Sequence, residues 1–123
     1  MKNYYRVILG AKRKFAKECY DNGFIGADYG INQDLTNELT DNWRDFNEKF
    51  RDIWLQSHPD KTKVAAGLAC GMLWTISKGY QIGDIVLCPD GNGNYYVGEV
   101  ASSYSYHPSE NLQHRRQVKW YSI

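Results

Sequence analysis

The sequence predicts an α+β fold, a small β-barrel flanked by two or three helices, and three observations predict it. The last third of the chain alternates strand-like runs with turns: Gly83-Asp84-Ile85-Val86-Leu87-Cys88, the turn Pro89-Asp90-Gly91-Asn92-Gly93, Tyr95-Tyr96-Val97-Gly98-Glu99-Val100, an aromatic loop, then His114-Arg115-Arg116-Gln117-Val118-Lys119-Trp120. The middle third carries apolar residues at helical spacing. A β-rich segment, Tyr4-Tyr5-Arg6-Val7-Ile8-Leu9, opens the chain.

Taken in order, residues 4–9 end at Gly10 and read as a first strand. Phe15, Ala16, Cys19 and Tyr20 fall at helical spacing, a short helix closed by Asn22-Gly23. The stretch Phe24-Ile25-Gly26-Ala27-Asp28-Tyr29-Gly30 breaks any period, and its two glycines suit a backbone that passes close to another group. From Asp41 onward, Trp43, Phe46, Phe50, Ile53 and Trp54 form one helical stripe. Thr40 or Asp41 can cap its start, and Pro59 ends it, because proline disfavours helical geometry in the residue before it. A second helix follows from about Thr62 to Lys78, with Gly79 as its C-terminal cap. Gly67 and Gly71 sit one turn apart on it, open to close approach of another backbone. The strands after Gly83 are joined by a glycine-rich turn suited to a hairpin.

At 123 residues the chain is one domain, long enough for a single core. Aromatic content is the unusual quantity, 15%, carried mostly by ten Tyr and four Trp. Such side chains serve binding surfaces, with ring dry and hydroxyl wet, and they also serve as strand residues. A net charge of +1 excludes a histone-like polyelectrolyte, so phosphate contacts have to come from local patches. Lys12-Arg13-Lys14 is one patch and His114-Arg115-Arg116 another, while acidic residues concentrate between Asp34 and Asp60. Cys19, Cys70 and Cys88 have neither the pairing of a secreted disulfide scaffold nor the spacing of a zinc site. The longest apolar run, residues 64–76, contains two glycines and is too short to span a bilayer. The expectation is a cytoplasmic protein with no metal, no cofactor and no membrane partner. The strand-like ending Trp120-Tyr121-Ser122-Ile123 reads as the boundary of an N-terminal domain within a longer protein.

Two motifs have ordinary readings. His58-Pro59-Asp60-Lys61 invites comparison with J-domain co-chaperones, but a glycine-rich stretch stands where they have one continuous helix, and the strands after Gly83 contradict an all-helical fold. Pro59 as a helix stop and Asp60 or Thr62 as the next cap account for it. Pro89-Asp90 and Glu99 brush against a nuclease metal motif whose lysine is replaced by Ala101, and the hairpin turn accounts for Pro89-Asp90-Gly91. His58, His107 and His114 have no partner set visible in sequence, and no nucleophile-elbow, P-loop or zinc signature occurs. No enzyme activity is expected of this chain. Tyr104 and Tyr106 are either rim residues of the barrel or walls of a pocket for a planar base. In the second reading Phe24 and Tyr29 supply the opposite wall and Asp28 accepts from an exocyclic amino group. Trp74 divides the same way between core and pocket.

The order of elements resembles the PUA-like superfamily, in particular its EVE and YTH branches, which read modified bases in DNA or RNA. The likeness rests on the opening strand at Tyr4, the segment from Phe24 to Tyr29, the Gly83-Asp84 strand entry, Tyr96-Val97-Gly98-Glu99-Val100 and the closing Val118-Lys119-Trp120. The closer resemblance is to N-terminal domains of modification-dependent bacterial restriction endonucleases, which carry stretches like Gly26-Ala27-Asp28-Tyr29-Gly30-Ile31-Asn32-Gln33-Asp34-Leu35, Ala65-Ala66-Gly67-Leu68-Ala69-Cys70-Gly71 and His114-Arg115-Arg116. Positions those families fill with tryptophan hold Phe24 or Tyr29 and Tyr104 or Tyr106 here. The resemblance implies non-catalytic recognition of a methylated base in DNA, flipped into an aromatic pocket, with a nuclease or NTPase in a separate domain. The expected pocket residues are Phe24, Asp28, Tyr29, Trp74, Tyr104 and Tyr106. The expected backbone contacts are Arg6, Lys12, Arg13, Lys14, His114, Arg115 and Arg116. An RNA-binding module of the same fold and a co-chaperone-like interaction module are the competing expectations.

Overall fold

The computed structural model describes residues 2–9 and 14–121. Its strands are β1 (Tyr4–Arg6), β2 (Phe24–Ala27), β3 (Ile85–Pro89), β4 (Tyr95–Tyr106) and β5 (His114–Trp120). Its helices are α1 (Ala16–Asn22), α2 (Trp43–Ser57) and α3 (Lys63–Trp74), the last continuing into a π-turn, Thr75–Gly79. The strands form one sheet in the order β1-β3-β4-β5-β2, curled into a half-barrel. β1 lies parallel to β3, and the other pairs are antiparallel. The fold is therefore α+β, three helices and a curled half-barrel sheet compatible with the small barrel expected.

The stretch that broke every period is itself a strand. β2 is buried along its whole length and runs antiparallel to β5, with Gly26 opposite Arg115. A Cβ on Gly26 would stand 2.8 Å from the His114 carbonyl and 3.0 Å from Leu112 Cβ, so the close approach its glycines suggested is real. The segment expected as an aromatic loop is also strand: β4 continues through Tyr104 to Tyr106 and pairs with His114–Arg116. Between Val100 and Tyr104 the register shifts, with Ser102 filling the gap through its hydroxyl to the Gln117 N–H (2.8 Å). Such irregularities bend and twist the bulged strand, which here contributes to the curl of the sheet.

The helices start where side chains cap them. Asn42, rather than Thr40 or Asp41, accepts the Arg44 N–H (2.8 Å) at α2, and Thr62 accepts the Ala65 N–H (3.1 Å) at α3. Gly23, at φ 73°, closes α1 in the left-handed geometry that glycine adopts without a Cβ penalty. Gly79 is not the cap expected of it. It ends the π-turn, in which the Tyr80 N–H reaches back to the Thr75 carbonyl (2.9 Å), and its bare Cα faces the Trp74 ring. α2 meets α3 at Gly67 and Gly71, where the Asn47 amide donates to the Gly67 carbonyl (3.1 Å). Phe46, Phe50 and Trp54 of α2 and Ala66, Cys70 and Leu73 of α3 belong to the same buried cluster as Ile25, Val86, Cys88, Val100 and Val118 of the sheet. The π-turn lies against β2, β4 and β5.

The aromatic excess is used partly in this packing. Tyr20 of α1 stacks on Tyr96 of β4 (4.3 Å between centroids), and Trp120 packs beside both and donates to the Cys19 carbonyl (3.0 Å). Gly98 makes room for this cluster, because a Cβ there would meet Val118 Cγ1 at 2.5 Å and Trp120 Cε3 at 2.6 Å. Gly98→Ala is therefore expected to destabilise the domain by about 1–3 kcal/mol, the usual cost of overpacking. Urea unfolding checks it, and a midpoint equal to that of the parent would refute the close packing.

Candidate functional site

At the end of β2 the chain turns sharply through Asp28-Tyr29-Gly30. Tyr29 (φ 51°) and Gly30 (φ 71°) are both left-handed, an unfavourable geometry for a tyrosine that the surroundings must hold. Several contacts hold it. The Ile31 N–H donates to the Asp28 carbonyl (3.2 Å), and the His58 ring, stacked on Trp54, covers Gly30 so closely that a Cβ there would lie 2.6 Å from His58 Cε1. The Asp28 carboxylate accepts the backbone N–H groups of Gln113 (2.7 Å) and Leu112 (3.1 Å). The Gln113 amide donates to the Asn32 side chain (2.8 Å). Turn 28–32 and loop 107–113 are thus fastened to one another.

The deepest fastening is His114, fully buried on β5. Its Nε2 lies 2.5 Å from the Ile31 carbonyl and its Nδ1 lies 2.7 Å from the Tyr104 hydroxyl, which also accepts the Leu35 N–H (3.1 Å). The carbonyl must receive a proton, so Nε2 carries the hydrogen and the Tyr104 hydroxyl donates to Nδ1. One directed chain results, from Leu35 through Tyr104 and His114 to Ile31. Burial pushes the His114 pKa below the usual histidine range and that of Tyr104 up to about 12, so both are neutral near pH 7.

These fastenings shape a cavity of about 380 Å³ lined by Ile8, Phe15, Gly26, Ala27, Asp28, Tyr29, Ile76 and Leu112. Among the described residues its lining is apolar and aromatic, with Asp28 as the charged residue. Each carboxylate oxygen takes one backbone N–H and retains acceptor capacity for a further donor. Burial raises the Tyr29 pKa, which keeps its phenol protonated. Such a site can stack a flat ring and accept from an amino group.

Of the six expected pocket residues, Asp28 and Tyr29 share this cavity, and the other four stand elsewhere. Phe24 is buried beneath the Arg115 guanidinium, 3.8 Å from its ring centroid. Trp74 donates its indole N–H to the Thr40 carbonyl (2.8 Å) and packs on Gly79. Tyr104 is held in the His114 chain, and Tyr106 packs near the same imidazole and donates to Gln113 Oε1 (3.2 Å). Among the expected backbone contacts, His114 and Arg116 (3% exposed) are corrected to interior residues, since both side chains point into the fold and bond to carbonyls there. Arg115 is half-buried and donates to the carbonyls of Asn111 and Leu112. Arg6 is exposed on the edge strand β1, and Lys14 is exposed with its ammonium 5.4 Å from the Phe15 ring. Lys12 and Arg13 lie outside the described residues.

Ile8, Phe15 and Leu112 were missed. Two carried a signal, since Phe15 follows a run of cations and Leu112 is a lone apolar residue in a polar loop; Ile8 carried none, because only the structure separates it from buried Val7 and Leu9. The model described as Domain of unknown function (DUF8426) matches residues 5–123. The chain belongs to that family. No curated protein and no solved structure matches it. Among the described residues no cluster of side chains suits a metal ion, and no helix is long and apolar enough to cross a membrane.

The neutral His114 gives the site a pH dependence. Its folded-state pKa is depressed, so the unfolded chain binds the proton more readily. Stability is full above the ordinary histidine value of 6.5 and is lost as the pH falls from there toward the folded-state pKa. The slope this residue adds is at most about 1.4 kcal/mol per pH unit. Urea midpoints between pH 7.5 and 5 should fall in the parent and fall less in His114→Gln; identical profiles would exclude His114 as the source.

Proposed function

We propose that this domain recognises a methylated base in DNA, without reacting on it, as the specificity module of a modification-dependent restriction system. In this reading the curled sheet and its helices are a PUA-like arrangement, and the nuclease or NTPase belongs to a separate domain. The observation that carries the proposal is the 380 Å³ cavity, whose lining includes Tyr29, Phe15 and Asp28. Its volume falls within the roughly 300–1,000 Å³ typical of small-molecule sites. The backbone that carries Tyr29 is fixed in a left-handed turn, and that pre-organisation favours binding.

A base in a duplex has to leave the stack to enter, at a cost of a few kcal/mol. Stacking on an aromatic side chain returns about 1–3 kcal/mol per contact, and an amino group donating to Asp28 adds to it. Lys14 beside Phe15 supplies positive charge for the phosphates. The pocket of this proposal therefore differs from the one the resemblance implied: Tyr29 and Asp28 are joined by Ile8, Phe15 and Leu112, without Phe24, Trp74, Tyr104 or Tyr106. The five-stranded sheet also separates the domain from the all-helical J-domains, and His58 serves as a cover for Gly30.

The test is a binding titration at fixed moderate salt. It compares one DNA duplex carrying 5-methylcytosine, 6-methyladenine or no modification with the matching RNA. One modified DNA duplex should bind more tightly than the unmodified one. Tyr29→Asn removes the ring while tolerating positive φ, and it should cut that preference by roughly 5- to 150-fold, the equivalent of one stacking contact. Equal affinity for every duplex, or preference for RNA, would contradict the proposal.

A further inference from the structure

We infer that the domain has a second ligand site, built on Arg116 and Ser77, for a small molecule bearing a phosphate or carboxylate group. A cavity of about 490 Å³, distinct from the one at Asp28, opens beside the π-turn and is lined by Leu39, Ser77, Lys78, Tyr80, Ile82 and Arg116 among others. Arg116 is 3% exposed, and among the described residues no carboxylate lies within ion-pair distance of it. Buried charges are ordinarily paired, because leaving the solvent costs several kcal/mol per ion.

Here the compensation is partial. Arg116 Nε donates to the Ser102 carbonyl (2.7 Å), and Nη1 donates to the carbonyls of Ile76 (3.2 Å) and Ser77 (3.4 Å) in the π-turn that follows α3, where the last carbonyls lack helical partners. Nη2 makes no hydrogen bond among the described residues. Ser77 lines the same cavity, is 3% exposed, and its hydroxyl also has no partner there. A planar guanidinium at the cavity wall suits an oxyanion, the unpartnered Ser77 hydroxyl lies buried under the same wall, and Lys78 adds positive charge there. Two acidic groups oppose this only in part. Asp84 is bonded to the N–H groups of Asn3 and Gln81, and Asp41 is fully exposed and paired with Lys78. Leu39, Tyr80 and Ile82 offer apolar surface to the rest of the ligand.

The intact chain is titrated with inorganic phosphate, butyrate, a nucleoside 5′-monophosphate and unmodified duplex DNA, against chloride at matched ionic strength. Amide spectra and melting temperature are recorded together. At least one small anion should give a saturable rise in melting temperature and move the amides of Ser77, Lys78 and Arg116; the tightest probe separates phosphate from carboxylate. Ser77→Ala should weaken that binding about threefold or more while leaving the ligand-free melting temperature equal or higher, since it deletes an unpartnered hydroxyl. Arg116→Lys should weaken it about tenfold or more, and Tyr29→Asn should leave it unchanged. No saturable response, a response to duplex DNA alone, or parent-like binding by Ser77→Ala would overturn the site.

Discussion

A histidine with no solvent contact sits where the sheet meets the loop that carries the candidate site. Both ring nitrogens of His114 are committed, one to the Tyr104 hydroxyl on the neighbouring strand and the other to the Ile31 carbonyl beyond the Asp28-Tyr29-Gly30 turn. A neutral imidazole offers one donor and one acceptor, so this bridge fixes direction as well as distance. It allows a strained turn to persist: Tyr29 is held in left-handed geometry because Ile31 on one side and Asp28 on the other are tied to β5 and its preceding loop. A bridge of this kind is intolerant of change, since removing one partner leaves another polar group buried and unpaired.

The three residues His114-Arg115-Arg116 show how one motif divides its work. His114 anchors the site loop, Arg115 covers Phe24 and ties down loop 107–113, and Arg116 donates to the orphan carbonyls of the π-turn. Between them they connect β5 to the regions around both cavities. Ile76 lines one cavity and its chain neighbour Ser77 lines the other, so the π-turn separates the two. Its unusual geometry places the carbonyls of Ile76 and Ser77 within reach of one guanidinium.

Much of this was legible in the sequence, and the parts that were not have physical causes. α2 was readable because its apolar stripe is local, and β3 because turn residues bound it. β2 was not, since four buried residues in a row carry no period, and its partner lies about ninety residues away. The last turns of β4 were hidden because Ala101-Ser102-Ser103 looks like a loop, and only pairing with β5 makes the following tyrosines strand. The His114-Arg115-Arg116 run misled by its charge although its period was available. Val118 faces inward, and stepping back by two along the strand puts Arg116 and His114 inward as well. Asp28 and Tyr29 were singled out as an acceptor and an aromatic wall, and both line one cavity. Trp74, Tyr104 and Tyr106 were attractive for their rings, and the fold uses those rings to hold itself together.

The central claim is that a base enters the cavity between Tyr29, Phe15 and Leu112. The most direct measurement is an amide chemical-shift map of the isotope-labelled domain titrated with a methylated DNA duplex. The account predicts that the largest changes fall on residues 26–29 and on Leu112 and Gln113, with smaller ones at Arg6 and Lys14. Changes confined to exposed cations, with residues 26–29 and Leu112 unmoved, would contradict it.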